Sequence, residues 1–218
     1  MAKNVIAGLV SLFTSLTDEQ AMWRLQTEDD HDAFNLLVER WQERIRALCI
    51  RMTGNLHTAE DLVQETFARA FEKRKAFRGD SKFSTWLWRI ALNQCYDELR
   101  RQQRHPHAPD DDFRNSIRLQ GIDLTTPRVQ AQKQEEAELV RDALMELGEN
   151  YRTVLVLRHY EGLKLREIAD VLEIPEGTVN SRMAEGLVQL SRILEPQLKT
   201  ASARQTRAVN KPREILAL

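Results

Sequence analysis

Apolar residues recur at steps of three and four along most of this 218-residue chain, and no sustained apolar–polar alternation accompanies them. That period belongs to α-helices with one buried face, so the expected fold class is all-α, without a sheet. From Asp32, the series Phe34, Leu37, Trp41, Ile45, Leu48 and Met52 marks one helix, which Gly54 and Asn55 end. A second is expected to open at Thr58 as N-cap and to repeat Ala59, Leu62, Val63, Thr66, Phe67, Ala70 and Phe71. RGDS (Arg78 to Ser81) breaks the pattern, and a third helix starts near Ser84. Three such helices make a small bundle.

Composition shifts after Arg104. The stretch HPHAPDDDFRNSIRLQGIDLTTPRVQAQ holds three prolines, a glycine and an acidic triplet without a clear period, and reads as a long flexible linker. Helical spacing resumes near Glu135 with Leu139, Ala143, Leu144 and Leu147. Arg166 to Leu172 predicts a short helix, Ile174 to Gly177 a turn, and a longer helix runs on to about Leu194. Ala169 is small where two such helices cross, and Pro175 suits the first turn of a helix. Val179, Met183, Leu187, Leu190 and Leu194 are expected to form the buried ridge of that second helix. Its opposite face would offer Thr178, Ser181, Arg182, Glu185 and Arg192 to solvent, as a helix-turn-helix reader of the major groove requires. An ordinary helical hairpin with a solvated face is the alternative.

The expected layout is therefore two small helical domains joined by a long flexible linker. It comprises an N-terminal extension (1–24), a helical domain (25–104), the linker (105–134), a helix-turn-helix domain (135–196) and a basic tail (197–218). Val5 to Phe13, VIAGLVSLF, is too short to span a bilayer and lacks a small-residue cleavage site, which predicts an amphipathic or frayed helix.

Trp86 and Trp88 stand two positions apart on a helix and must point to opposite faces. Trp88 falls on the arc of Leu87, Ala91, Leu92, Cys95 and Leu99, and so belongs to the core. Trp86 falls among Arg89, Asn93, Tyr96, Asp97 and Arg100. An exposed indole there suits a base-stacking platform, with Asn93 able to read an unpaired base edge and arginines to hold phosphates. An edge-capping or protein-contacting tryptophan is the competing reading. Overall charge is nearly neutral, 32 Lys and Arg against 33 Asp and Glu, so any nucleic-acid contact must be local or assisted. Phe77 to Arg104 nevertheless carries six basic and three acidic residues.

On the preceding helix Asp61, Gln64, Glu65 and Glu72 line the face opposite the apolar ridge, which would attract a basic protein groove. Cys49 and Cys95 read as reduced core thiols. Scattered histidines, and no phosphate-binding glycine loop, paired zinc ligands or nucleophile motif, argue against an enzyme, a metal site or a cofactor.

AEDLVQETFARAF, FRGDSKFSTWLWRIALNQCYDELRR and YRTVLVLRHYEGLKLREIADVLEIPEGTVNSR, in this order, closely resemble the extracytoplasmic-function (ECF) group of bacterial sigma-70 family sigma factors. The resemblance implies a first domain, sigma region 2, that binds core RNA polymerase (β and β′ subunits) through Asp61, Gln64, Glu65 and Glu72. It implies melting of the downstream promoter element and capture of a flipped base by Lys82, Trp86, Arg89, Asn93, Asp97, Arg100 and Arg101. The second domain, sigma region 4, would bind the upstream element through Thr178, Asn180, Ser181, Arg182 and Glu185. Asp110, Asp111 and Asp112 would pass through the polymerase channel, and an anti-sigma factor would hold the protein inactive in the cytoplasm, without membrane insertion. Asn180, Ala184 and Glu185 depart from the more basic pattern of the family, so the upstream sequence preference does not carry over. The competing reading is a free-standing helix-turn-helix regulator that binds duplex operator DNA without polymerase.

Overall fold

Thr17 and Gln20 cap each other's backbone, the Thr17 N–H donating to Gln20 Oε1 (2.9 Å) and the Gln20 N–H to Thr17 Oγ1 (3.2 Å). This opens helix α1, Asp18–Glu28. The computed structural model describes residues 16–104 and 127–209, with side chains for 16–104 and 137–196. After α1 come α2 (His31–Thr53), α3 (Leu56–Glu72), a 3-10 turn (Arg74–Ala76), α4 (Phe83–Arg104), α5 (Pro127–Glu146), α6 (Glu149–His159), α7 (Leu165–Leu172) and α8 (Glu176–Val209). No strand occurs among the described residues.

α1 corrects the expected N-terminal extension. Ala21, Met22 and Leu25 are wholly buried, so the segment from Asp18 is part of the first bundle. The Asp18 carboxylate accepts from Trp41 Nε1 (2.8 Å) and Arg40 Nη1 (3.0 Å), tying α1 to α2.

α2 ends where the sequence placed its end. Gly54 takes the left-handed conformation, φ 73°, and its N–H donates to Ile50 O at 2.8 Å. A Cβ at Gly54 would also sit 2.8 Å from Met145 Sδ, so glycine lets α5 approach the end of α2. The cap of α3 is Asn55 rather than Thr58: Asn55 Oδ1 accepts the Thr58 N–H at 2.8 Å. The oxygen that accepts lies three residues before the amide that donates, so Thr58, the expected cap, supplies the capped amide instead.

The first core gathers Leu37, Ile45, Leu48, Met52, Phe83, Leu87, Trp88 and Leu92. Trp88, 1% exposed, meets Trp41 edge-on with ring centres 5.7 Å apart.

The second unit departs from the expected boundaries at both ends. α5 begins at Pro127, inside the segment expected to be linker, and α8 continues past Pro196 to Val209, into the expected tail. The ridge of α8 also shifts. Val179, Met183 and Gly186 are buried, whereas Leu187 and Val188 stand 45% and 44% exposed. A Cβ at Gly186 would meet Leu155 Cδ1 and Tyr151 Cβ at 3.3 Å, so α8 crosses α6 at its glycine. Glycine carries no apolar signal, and the periodicity reading stepped over it to Leu187.

One apolar core runs through both units, with α2 against α5 and α6, and α4 against α7. Arg152 anchors the junction. Its guanidinium donates to Leu144 O (2.9 Å), Met145 O (2.7 Å) and Leu147 O (2.9 Å) in the second unit, and to Met52 O at the end of α2. Burial lowers its pKa from the ordinary value, and carbonyls at two helix ends replace the water it loses.

Candidate nucleic-acid interface

α1 braces the entrance to α4. Gln26 Nε2 donates to Phe77 O at 2.7 Å and to Arg74 O, while Glu19 Oε1 accepts the Phe83 N–H at 3.1 Å. A carboxylate at a helix N-terminus satisfies an amide that has no partner within the helix and complements the dipole. Phe77 and Phe83, held in this way, form a platform for Trp86, whose ring centre lies 5.4 Å from the first and 6.0 Å from the second.

Trp86 is therefore half-buried, not freely facing water as its place on the helical wheel suggested. The wheel accounts for neighbours on α4 and cannot see Phe77 folding back from the preceding loop. Beside it Asn93 is exposed. Further along the stripe Asp97 and Arg100 are exposed and pair at 3.7 Å, and Arg101 meets Glu98 at 2.8 Å.

The remaining members of the stripe are engaged by the second unit. Lys82 Nζ lies 3.1 Å from Glu167 Oε1, and Arg89 Nη1 lies 2.8 Å from Glu173 Oε1. Tyr96, which the wheel also placed on the polar arc, shares a 2.9 Å hydrogen bond with Thr153, and burial pushes its phenol pKa up. The Glu167 carboxyl is held below its ordinary value by the Lys164 N–H and by Lys82.

Asp61, Gln64, Glu65 and Glu72 are all exposed on one face of α3, with Glu65 bridging to Arg69 at 2.9 Å. On α8, Asn180, Ser181 and Glu185 are exposed, and Thr178 and Arg182 are half-buried. The Ser181 hydroxyl turns back to Gly177 O (3.0 Å) and Thr178 O (3.1 Å). Asp110, Asp111, Asp112 and the segment Val5 to Phe13 lie outside the described residues.

Sequence reasoning missed the partners across the junction, Arg152, Glu161, Glu167 and Glu173. Their contacts to the first unit join residues 84 to 117 positions apart, and helical spacing carries no information at that range. Glu161, from the α6–α7 loop, meets Arg44 (3.4 Å) and Arg51 (3.8 Å), and Arg51 stacks over Tyr160 at 4.3 Å. Burial raises the Glu161 carboxyl pKa even so. Cys49 and Cys95 are buried free thiols with sulfurs 3.8 Å apart. The hydrogen bond to Cys49, followed by burial, pushes the Cys95 thiol pKa well up. Among the described residues no His, Cys, Asp and Glu group could hold a metal ion, and no helix is long and apolar enough to cross a membrane.

The family model for Sigma-70 region 2 matches residues 37–105, and that for Sigma-70, region 4 matches residues 137–190. The chain is 35% identical to the RNA polymerase sigma-H factor of Pseudomonas aeruginosa over 194 residues, which span 87% of this chain and 100% of that protein. The chain belongs to the sigma-70 family of ECF RNA polymerase sigma factors. The ECF RNA polymerase sigma factor SigW of Bacillus subtilis is similarly close, 34% identical with 76% of this chain and 90% of that one aligned. Among solved structures, the sigma factor RpoE in complex with the anti-sigma factor NepR from Bartonella quintana shares the fold. Its TM-score is 0.56 at 22% identity, covering 74% of this chain and 96% of that one. As a sigma factor the protein directs transcription initiation, and the free-standing regulator is set aside.

Proposed function

We propose that this sigma factor works by dividing its contacts among three surfaces, with core RNA polymerase supplying the chemistry. The exposed acids Asp61, Glu65 and Glu72, with Gln64, dock the polymerase through a basic groove of its β and β′ subunits. Lys82, Trp86, Arg89, Asn93, Asp97, Arg100 and Arg101 receive the opened downstream strand. Thr178, Asn180, Ser181, Arg182 and Glu185 face the upstream duplex, and Asp110, Asp111 and Asp112 lie in the polymerase channel. An anti-sigma factor acting in the cytoplasm completes the proposal.

The observation that carries the strand assignment is the Phe77–Phe83 platform under Trp86, beside an exposed Asn93. A supported indole stays fixed while its outer face remains available, and stacking there contributes about 1–3 kcal/mol per base. Unstacking a duplex base costs a few kcal/mol, so the two are of matching size. Run-off transcription with purified core polymerase, read beside permanganate footprinting of the promoter, tests this division. Trp86→Ala should reduce strand opening while leaving polymerase association intact, and equal loss of both would refute it.

A further inference from the structure

Trp23, at 57%, is the most exposed of the large apolar side chains among the described residues. It belongs to α1, whose Met22 and Leu25 are wholly buried, so the indole stands away from the face that the core uses. Glu19, Trp23 and Gln26 follow one another along one side of that helix at steps of four and three. The outer two hold the ends of the loop from Phe77 to Phe83: Gln26 donates to Phe77 O, and Glu19 accepts the Phe83 N–H. Trp23 is thereby set beside the middle of the loop. Trp86 packs on Phe77 and Phe83 from the α4 side, so the loop runs between two indoles.

The surroundings of Trp23 select its occupant. A protein partner favours a contiguous apolar patch, whereas the neighbours of Trp23 one turn away, Glu19, Gln20, Gln26 and Thr27, are all polar. Against α1 lies a basic segment. Residues 73–82 carry five Lys and Arg and one acid, Asp80, and Lys73, Lys75, Arg78 and Lys82 are exposed. A flat ring beside such a segment suits a single strand: the cations hold phosphates, and the ring accepts any base because every base has a π-face. We propose that Trp23 is a second stacking site for the opened strand, holding an unpaired base on the far side of the Phe77–Phe83 loop from Trp86. The inference rests on the proposed assignment of the α4 stripe to that strand. It gives α1 a part in keeping the strands open besides bracing α4, since each stacked base adds its own contribution.

The test uses the full chain assembled with core polymerase, and a single-stranded oligomer of iododeoxyuridine as probe, because stacking needs no particular sequence. Near-ultraviolet light joins iodouracil to an aromatic ring stacked on it, and mass spectrometry of the digest shows which tryptophan carries the nucleotide. Adducts are expected on Trp23 as well as on Trp86. An adduct on Trp86 without one on Trp23 overturns this inference and leaves the strand assignment standing, and adducts on neither overturn both. Trp23→Ala should weaken binding of the same oligomer by the assembled complex about fivefold or more, and Trp23→Phe should recover most of the loss. A duplex of the same length should bind unchanged. Equal loss for duplex and single strand, or weakened association with core polymerase at unchanged strand affinity, overturns the stacking role. An unchanged thermal melt is expected of an exposed residue, and the wild-type adducts decide the matter if Trp23→Ala does not fold.

Discussion

Two neighbouring faces of the first bundle meet opposite fates. On α3, Asp61, Gln64, Glu65 and Glu72 stand exposed, while on α4, Lys82 and Arg89 lie against α7. Charge explains the difference. The charged side chains that α7 and its cap set against the stripe are Glu167 and Glu173, which are attracted to a basic stripe and repelled by an acidic one. This packing covers part of the surface suited to nucleic acid and leaves exposed the one suited to a basic protein groove.

The largest test of that contrast reverses the exposed face. Asp61→Arg with Glu65→Arg should weaken co-purification with core polymerase about a hundredfold, since like charges set together at an interface cost several kcal/mol. The thermal melt should change little, because both residues are exposed. Normal co-purification would remove α3 from the interface. Next in size, Arg152→Met strips the donor from four carbonyls, three of them in buried contacts, and should lower stability to urea by about 2–3 kcal/mol, far more than Glu167→Lys or Glu173→Lys at the exposed pairs. A loss no larger than theirs would mean that the junction has no buried anchor.

Trp86→Ala should cut open-complex formation about tenfold, and Trp86→Phe, which keeps contact with Phe77 and Phe83, should recover part of it. Equal melts for the two variants would assign the loss to stacking and not to packing.

Acidity gives the smallest effect. The Glu161 carboxyl pKa is raised in the folded chain because burial outweighs Arg44 and Arg51. Its support for the fold is full below the ordinary glutamate value and is lost as pH rises through the raised one. Glu167 acts in the opposite sense: its pKa is lowered, so its support is present above the ordinary value and lost as pH falls through the lowered one. Stability to heat should thus drop slightly as pH rises from the ordinary glutamate value through the raised one, and Glu161→Gln should flatten that step.

What was legible in the chain followed from local rules. The core place of Trp88 and the stop at Gly54 each depend on neighbours within a turn or two. What was illegible depended on distant partners or on residues with no apolar signature. Gly186 carries the α6–α8 crossing without a side chain, which displaced the expected ridge onto Leu187. Asp18 and Glu19 read as an extension until Trp41 and the Phe83 amide supply their partners. The site residues were found by face, but the occupation of Lys82 and Arg89 by α7 needed the fold, because a helical wheel describes one helix and a contact between helices needs two.

The touching sulfurs of Cys49 and Cys95 join α2 to α4 at the centre of the first bundle. No reagent reaches them unless those helices separate. The rate at which a thiol probe is consumed is consequently a built-in clock for the breathing of that bundle, one that needs no added label.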